Sequence, residues 1–102
     1  MTILRQLFKD LNNAGFTPYA LFDGEEINRS ENQVEHLNDI ENLEEAWLYI
    51  KKNDNKVAKL YLVPDGPKDL LSDYSFFTKA EPAHQAELTV VLNAFMDHCS
   101  AL

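Results

Sequence analysis

Asp23, Glu25 and Glu26 crowd three carboxylates into one short stretch, and carboxylate oxygens gathered this way can bind a metal. Adjacent acids in a turn are ordinarily just solvated, so no metal ligand is assigned there. His36, His84 and His98 have no ligand spacing to one another. His98 and Cys99 are neighbours in a helical pattern, where consecutive side chains diverge by about 100°. That divergence suits neither a zinc site nor a nucleophile with its base. Asp73 stands beside Ser72 and Ser75, but no histidine lies at a meaningful distance in sequence. With Gly15, Gly24 and Gly66 as the only glycines, no glycine-rich phosphate loop can be built. The expectation is a protein without catalytic residues, bound metal or cofactor. An enzyme would need a pocket that gathers His84, Asp73 or the Asp23–Glu26 turn from across the fold.

Binding chemistry is better represented. The formal net charge is −8, and it is concentrated. From Asp23 to Glu45 there are nine acids and one base, Arg29, while the rest of the chain is balanced. Such a field repels nucleic acid and attracts basic partners. Glu31, Glu35 and Asp39 are spaced four apart, which lines them along one face if the segment is helical. Like charges at that spacing cost a few tenths of a kcal/mol per pair, and Asp39 and Glu41 lie near the helix end that disfavours anions. A face mildly costly to folding is a candidate for binding, by imitating a phosphate backbone or by docking on a basic protein. The plain alternative is a solvated, solubilising face.

The elements that must position these groups follow from the apolar periodicity. Leu4, Leu7, Phe8 and Leu11 recur at helical spacing, so residues 2–14 form a helix, with Gly15 at its left-handed stop and Phe16 folding back on Leu11. Residues 16–22 read as a strand. Pro18 cannot donate to a ladder and belongs near an end or on an edge. Asp23-Gly24 is a turn signal, and 25–29 can return as a short strand. Ser30-Glu31-Asn32-Gln33 has the form of a capping box, opening a second helix to about Glu41 that buries Val34, Leu37 and Ile40. Residues 45–52 alternate, with Ala46, Leu48 and Ile50 inward and Trp47, Tyr49 and Lys51 outward. Asn53-Asp54-Asn55 turns the chain into a return strand, 56–63, with Ala58, Leu60 and Leu62 inward and Val57, Lys59, Tyr61 and Val63 outward. Residues 69–75 supply a further strand. Pro82 suits a first helical turn, and the last helix runs to about Ser100 with Leu88, Val91, Leu92, Phe95 and Cys99 inward. The order is α-β-(β)-α-β-β-β-α. Short turns between neighbours favour an α+β domain, residues 1–102, with a mostly antiparallel sheet of three to five strands and helices packed on one face.

Trp47, Tyr49 and Tyr61 therefore share the outer face of the central hairpin with Lys51 and Lys59. Exposed aromatics of this kind anchor protein contacts or stack bases, unless a helix or a second copy covers them. The net charge argues against nucleic acid. Lys51, Lys52, Lys56 and Lys59 form the only basic cluster, explained either as protection of strand edges or as a mate for a neighbour's acidic segment.

One core fits in 102 residues. No apolar run approaches the roughly 18 residues of a membrane span, and the first residues read as an amphipathic helix, not a signal peptide. Cys99 is the only cysteine, which fits a reducing, cytoplasmic location.

The stretches Ala14-Gly15-Phe16, Asp23-Gly24-Glu25-Glu26, Ser30 opening a helix, and Leu71-Ser72-Asp73-Tyr74-Ser75 resemble those of a group of small, functionally uncharacterised proteins of bacteriophages and other mobile elements. The likeness spans most of residues 10–75. It departs at Val63-Pro64-Asp65-Gly66, where that group carries a Gly-Asn pair. The resemblance implies no activity and transfers no site residues. It does imply a phage or prophage accessory role in a bacterial cell.

The expectation is thus a non-enzymatic, acidic binding protein, in its most concrete form an inhibitor of a nucleic-acid-handling or host-defence protein. Glu31, Glu35 and Asp39 are the candidate contacts to a basic protein surface, with Trp47, Tyr49 and Tyr61 as a second surface. The alternative is a self-associating accessory module, a homodimer through the aromatic hairpin face. Direct nucleic-acid binding and membrane association are not expected.

Overall fold

The computed structural model describes residues 2–66 and 68–102. Its elements, in chain order, are α1 (Thr2–Asn13), β1 (Phe16–Phe22), β2 (Ile27–Arg29), α2 (Gln33–Glu41), β3 (Ala46–Lys52), β4 (Asn55–Leu62), β5 (Leu71–Phe76) and α3 (Pro82–Ser100). The five strands form one antiparallel sheet in the order β2-β1-β3-β4-β5. The fold is α+β, with the expected order of elements and helices on one face of the sheet.

Local chemistry explains where the elements begin and end. Helix α1 buries Ile3, Leu4, Leu7, Phe8 and Leu11. It stops because Gly15 takes φ +86, a conformation that costs glycine no Cβ clash, and the Gly15 N–H donates to the Asn12 carbonyl at 3.0 Å. Phe16 is then fully buried beside Leu11. In the next turn the Asp23 carboxylate accepts from the Glu25 and Glu26 backbone N–H groups, both at 2.8 Å. These bonds hold its carboxyl below the usual range.

Pro18 lies where a missing N–H does least harm. Strand β2 pairs only with Ala20–Phe22, so Pro18 has β3 on one side alone, and the register shifts directly after it. The resulting bulge turns both Tyr19 and Ala20 toward the same side of the sheet.

Ala46, Leu48, Ile50, Ala58, Leu60 and Leu62 are all fully buried. They meet the inward residues of all three helices in one core cluster. Val57 corrects the simple alternation, because it is fully buried and not outward. Between Ile50↔Ala58 and Lys51↔Lys56 the β3–β4 register slips by one residue, so Val57 is the inserted residue and turns to the core with Ala58.

Helix α2 differs most from expectation. Its N-cap is Asn32, whose side chain accepts from the Glu35 N–H at 3.1 Å, and not Ser30. Ser30 accepts from the Asn32 N–H at 3.0 Å, ahead of the helix. Gln33 does not reach back to close a capping box; its amide pairs with Asn12 at 2.6 Å and 3.2 Å, tying α2 to α1. The later start also changes the inward side. His36 and Ile40 are fully buried, Leu37 is half-buried, and Val34 is 66% exposed. A histidine was not expected there. Its Nε2 donates to the Ser30 carbonyl, which sets the tautomer and satisfies one ring nitrogen.

Candidate functional site

The structure divides the candidate residues into two regions, one acidic and one aromatic. Glu31 precedes α2, so Glu31, Glu35 and Asp39 do not form a single helical row. The Glu31 carboxylate is 3.1 Å from the Lys51 ammonium. Glu35 accepts from the Asn28 side-chain amide at 2.7 Å and from the Ser30 hydroxyl at 3.3 Å, which braces the start of α2 against β2. Asp39 is exposed and opens on a hollow of about 510 Å³ shared with Asp23, Glu26 and Asn42 and floored by Leu21 and Leu43. The carboxylates are therefore divided: two of the three candidates hold the protein's own segments in place, and one faces solvent.

The aromatic region is built by register. Residues paired across strands share a face, which gives one row of Ile27, Phe22, Trp47, Tyr61 and Asp73. The next row is Arg29, Ala20, Tyr49, Lys59 and Ser75. This face is opposite the one that meets the helices, and among the described residues none of Trp47, Tyr49 or Tyr61 joins the core cluster. Their rings pack on one another instead. Phe22, Trp47 and Tyr61 form a ladder with centroids 5.6 and 5.0 Å apart. Tyr49 touches Tyr19 edge-on at 6.0 Å and Phe77 at 5.8 Å. The Tyr61 hydroxyl donates to the Glu45 carboxylate, which raises its pKa because the bond favours the protonated phenol. Burial, and then the neighbouring Tyr49, push the Tyr19 phenol upward as well.

Basic residues frame these rings. The Lys56 ammonium lies 5.6 Å from the Tyr19 ring centroid, near enough for a cation–π attraction. Lys56 and Lys79 line a hollow of about 540 Å³ walled by Tyr19, Tyr49 and Phe77. Lys59 lines a smaller hollow with Trp47, Tyr61 and Asp73. Protection of strand edges does not explain the hairpin lysines, since β3 and β4 are interior and the edges are β2 and β5. Lys52 turns the other way, donating to the Ala14 carbonyl at 3.1 Å and to Glu87.

Sequence reasoning identified Trp47, Tyr49 and Tyr61 but missed Tyr19, Phe22, Phe77 and Arg29 as their neighbours. Phe22 alternates with Ala20 along β1 and was legible in principle; Tyr19 reaches the face only through the bulge after Pro18.

The groups with catalytic potential do not converge. His84 is on α3, where its Nδ1 donates to Asn55 Oδ1 at 3.0 Å. Asp73 is on β5 and Asp23 is in the β1–β2 turn, and the three share no hollow among the described residues. Cys99 is buried, which pushes its thiol pKa up and away from the reactive thiolate. Among the described residues no group of three His, Cys, Asp or Glu side chains is arranged to hold a metal ion, and no helix is long and apolar enough to cross a membrane.

No family model, curated protein or solved structure matches the chain.

Proposed function

We propose that this chain is a non-enzymatic binding protein that engages another protein through the uncovered aromatic face of its sheet. One observation carries the reading. All three helices bury their apolar sides on the same face of the sheet, so the ladder of Phe22, Trp47 and Tyr61 and the cluster of Tyr19, Tyr49 and Phe77 have no layer over them. An antiparallel sheet with one solvated face ordinarily carries polar residues there. Tryptophan, tyrosine and arginine, the residue types that dominate protein interfaces, lie on this face instead. An accessory role in a phage or other mobile element is compatible with this reading and rests on the resemblance alone.

Affinity capture from the source cell, with wild type and a Trp47→Ala, Tyr61→Ala double variant, tests the proposal. Melting curves establish that the variant is folded, and the milder Lys59→Glu serves if it is not. Bound proteins are expected to be lost from the sheet-face variant and kept by Glu26→Lys, Asp39→Lys. Identical capture by wild type and the sheet-face variant refutes the reading.

A second reading keeps the acidic surface, narrowed to the hollow that Asp39 shares with Asp23 and Glu26. Its apolar floor of Leu21 and Leu43 suits the stem of a lysine or arginine while the carboxylates hold the head group. In that case the same experiment gives the reverse pattern, with capture lost only from the Glu26→Lys, Asp39→Lys variant.

A further inference from the structure

Although carboxylates outnumber lysines and arginines 17 to 9, the uncovered face collects bases that lack an acidic mate. Lys51 is paired with Glu31, and Lys52, on the helix side, with Glu87. Among the described residues Arg29, Lys56, Lys59 and Lys79 have no carboxylate within ion-pairing distance. Arg29 and Lys59 lie in the same cross-strand row as Tyr49, Lys59 beside it and Arg29 beyond Ala20. Lys56 sits over Tyr19, and Lys79 lines the same hollow, whose wall also includes Asp54. In a molecule of net charge −8, one aromatic surface thus presents cations available to an incoming anion. We infer that the segment docking on this face is acidic: a partner protein's stretch of Asp and Glu with an aromatic or aliphatic side chain to fill the Tyr19–Tyr49–Phe77 hollow. This inference rests on the docking role proposed above and adds the chemistry of the partner.

Two other occupants fit less well. A second copy meeting face to face would bring the same patch twice, adding four more unpaired bases where an acidic segment would supply the anions that the first four lack. Single-stranded nucleic acid needs ring faces standing free for bases to stack upon. Here the rings lean on one another with interplanar angles of 32° and 47° along the Phe22–Trp47–Tyr61 ladder, making a continuous apolar floor. The ladder is also bordered by the carboxylates of Glu45, bound to Tyr61, and Asp73, opposite Tyr61. Both repel phosphate and carboxylate alike, but a peptide can keep its Asp and Glu on the Arg29, Lys56 and Lys59 side and offer backbone N–H groups to these two, whereas a nucleic-acid strand carries a phosphate at every step.

Trp47 is the only tryptophan, so its fluorescence, excited where tyrosine does not absorb, reports on this face alone. The probes are a random copolymer of glutamate and tyrosine, polylysine and oligothymidylate. The copolymer is expected to change Trp47 emission saturably at low salt and to weaken as salt screens the contact. Polylysine should have no effect. Lys56→Glu, Lys59→Glu, two changes away from the core, should weaken the copolymer by about tenfold or more with an unchanged melting temperature. Tighter binding of oligothymidylate than of copolymer overturns the inference in favour of nucleic acid. Equal copolymer binding by the charge-reversed variant overturns it in favour of non-specific contact. Light scattering that shows a dimer abolished by Lys59→Glu overturns it in favour of a second copy. If the copolymer fails while cellular capture still depends on Trp47, the docking face stands and only the acidic partner is lost.

Discussion

The acidic segment and the aromatic sheet face carry the two concentrations of unusual chemistry in this chain, and they use their charges in opposite ways. In the acidic segment, carboxylates are tied to local structure. Asp23 holds its own turn, Glu31 meets Lys51, Glu35 braces α2, and Glu45 holds Tyr61. On the sheet face Arg29, Lys56, Lys59 and Lys79 stand around packed rings, and among the described residues none of the four is ion-paired with a carboxylate. A high local charge is therefore a poor guide to a binding surface by itself. What matters is whether each charge already has a partner, and whether apolar surface lies beside it to be buried.

This contrast can be tested from the strongest effect to the weakest. Leu48 and Tyr49 are neighbours on β3 that point to opposite faces. Leu48→Ala removes a fully buried side chain and is expected to destabilise by about 2–5 kcal/mol. Tyr49→Ala loses two ring contacts on a solvated face and should cost about 1 kcal/mol. Denaturant midpoints measure both. Equal losses would show that the second face is a core and not a docking surface.

Around α2, acids and amides serve the fold. Asn32→Ala removes the N-cap acceptor and should cost about 1 kcal/mol, with faster hydrogen exchange confined to α2. Ser30→Ala leaves that cap in place and is expected to cost less. The reverse ranking would restore Ser30 as the helix cap.

The smallest effect concerns Glu87, whose carboxyl is held below its ordinary value of 4.5 by the hydrogen bond from Lys52. A carboxylate with a lowered pKa in the folded state contributes stability above its unfolded pKa and loses it as pH falls through the folded value. Glu87→Gln should therefore be slightly less stable than wild type at neutral pH. The difference should shrink as pH drops below 4.5 and disappear in strong acid, as followed by thermal melts across that range. A difference that persists in acid would show that the pair contributes by packing and not by charge.

Much of this was legible in the sequence, and the failures share one cause. Helices α1 and α3 and the inward side of β3 follow from periodicity, which needs only the spacing of neighbouring residues. Val57 turned inward because a bulge broke the period, and a bulge is fixed by pairing with another strand. The capping-box pattern at Ser30 was satisfied equally well by Asn32 two residues later. Tertiary contacts chose between them, through the Asn12–Gln33 amide pair and the burial of His36 beneath Ser30. The candidate surface divides the same way. Trp47, Tyr49 and Tyr61 were visible as alternating residues, but their company of Tyr19, Phe22, Arg29 and Phe77 comes from other segments.

The order of elements, the apolar side of the central hairpin and the crowding of acids between Asp23 and Glu45 are written in the sequence. Each depends on residues close together along the chain. The strand order, the two faces that register assembles, and the mating of charges emerge when the chain folds. Those depend on segments brought together from far apart, and a carboxylate carries no local mark of the lysine it will meet.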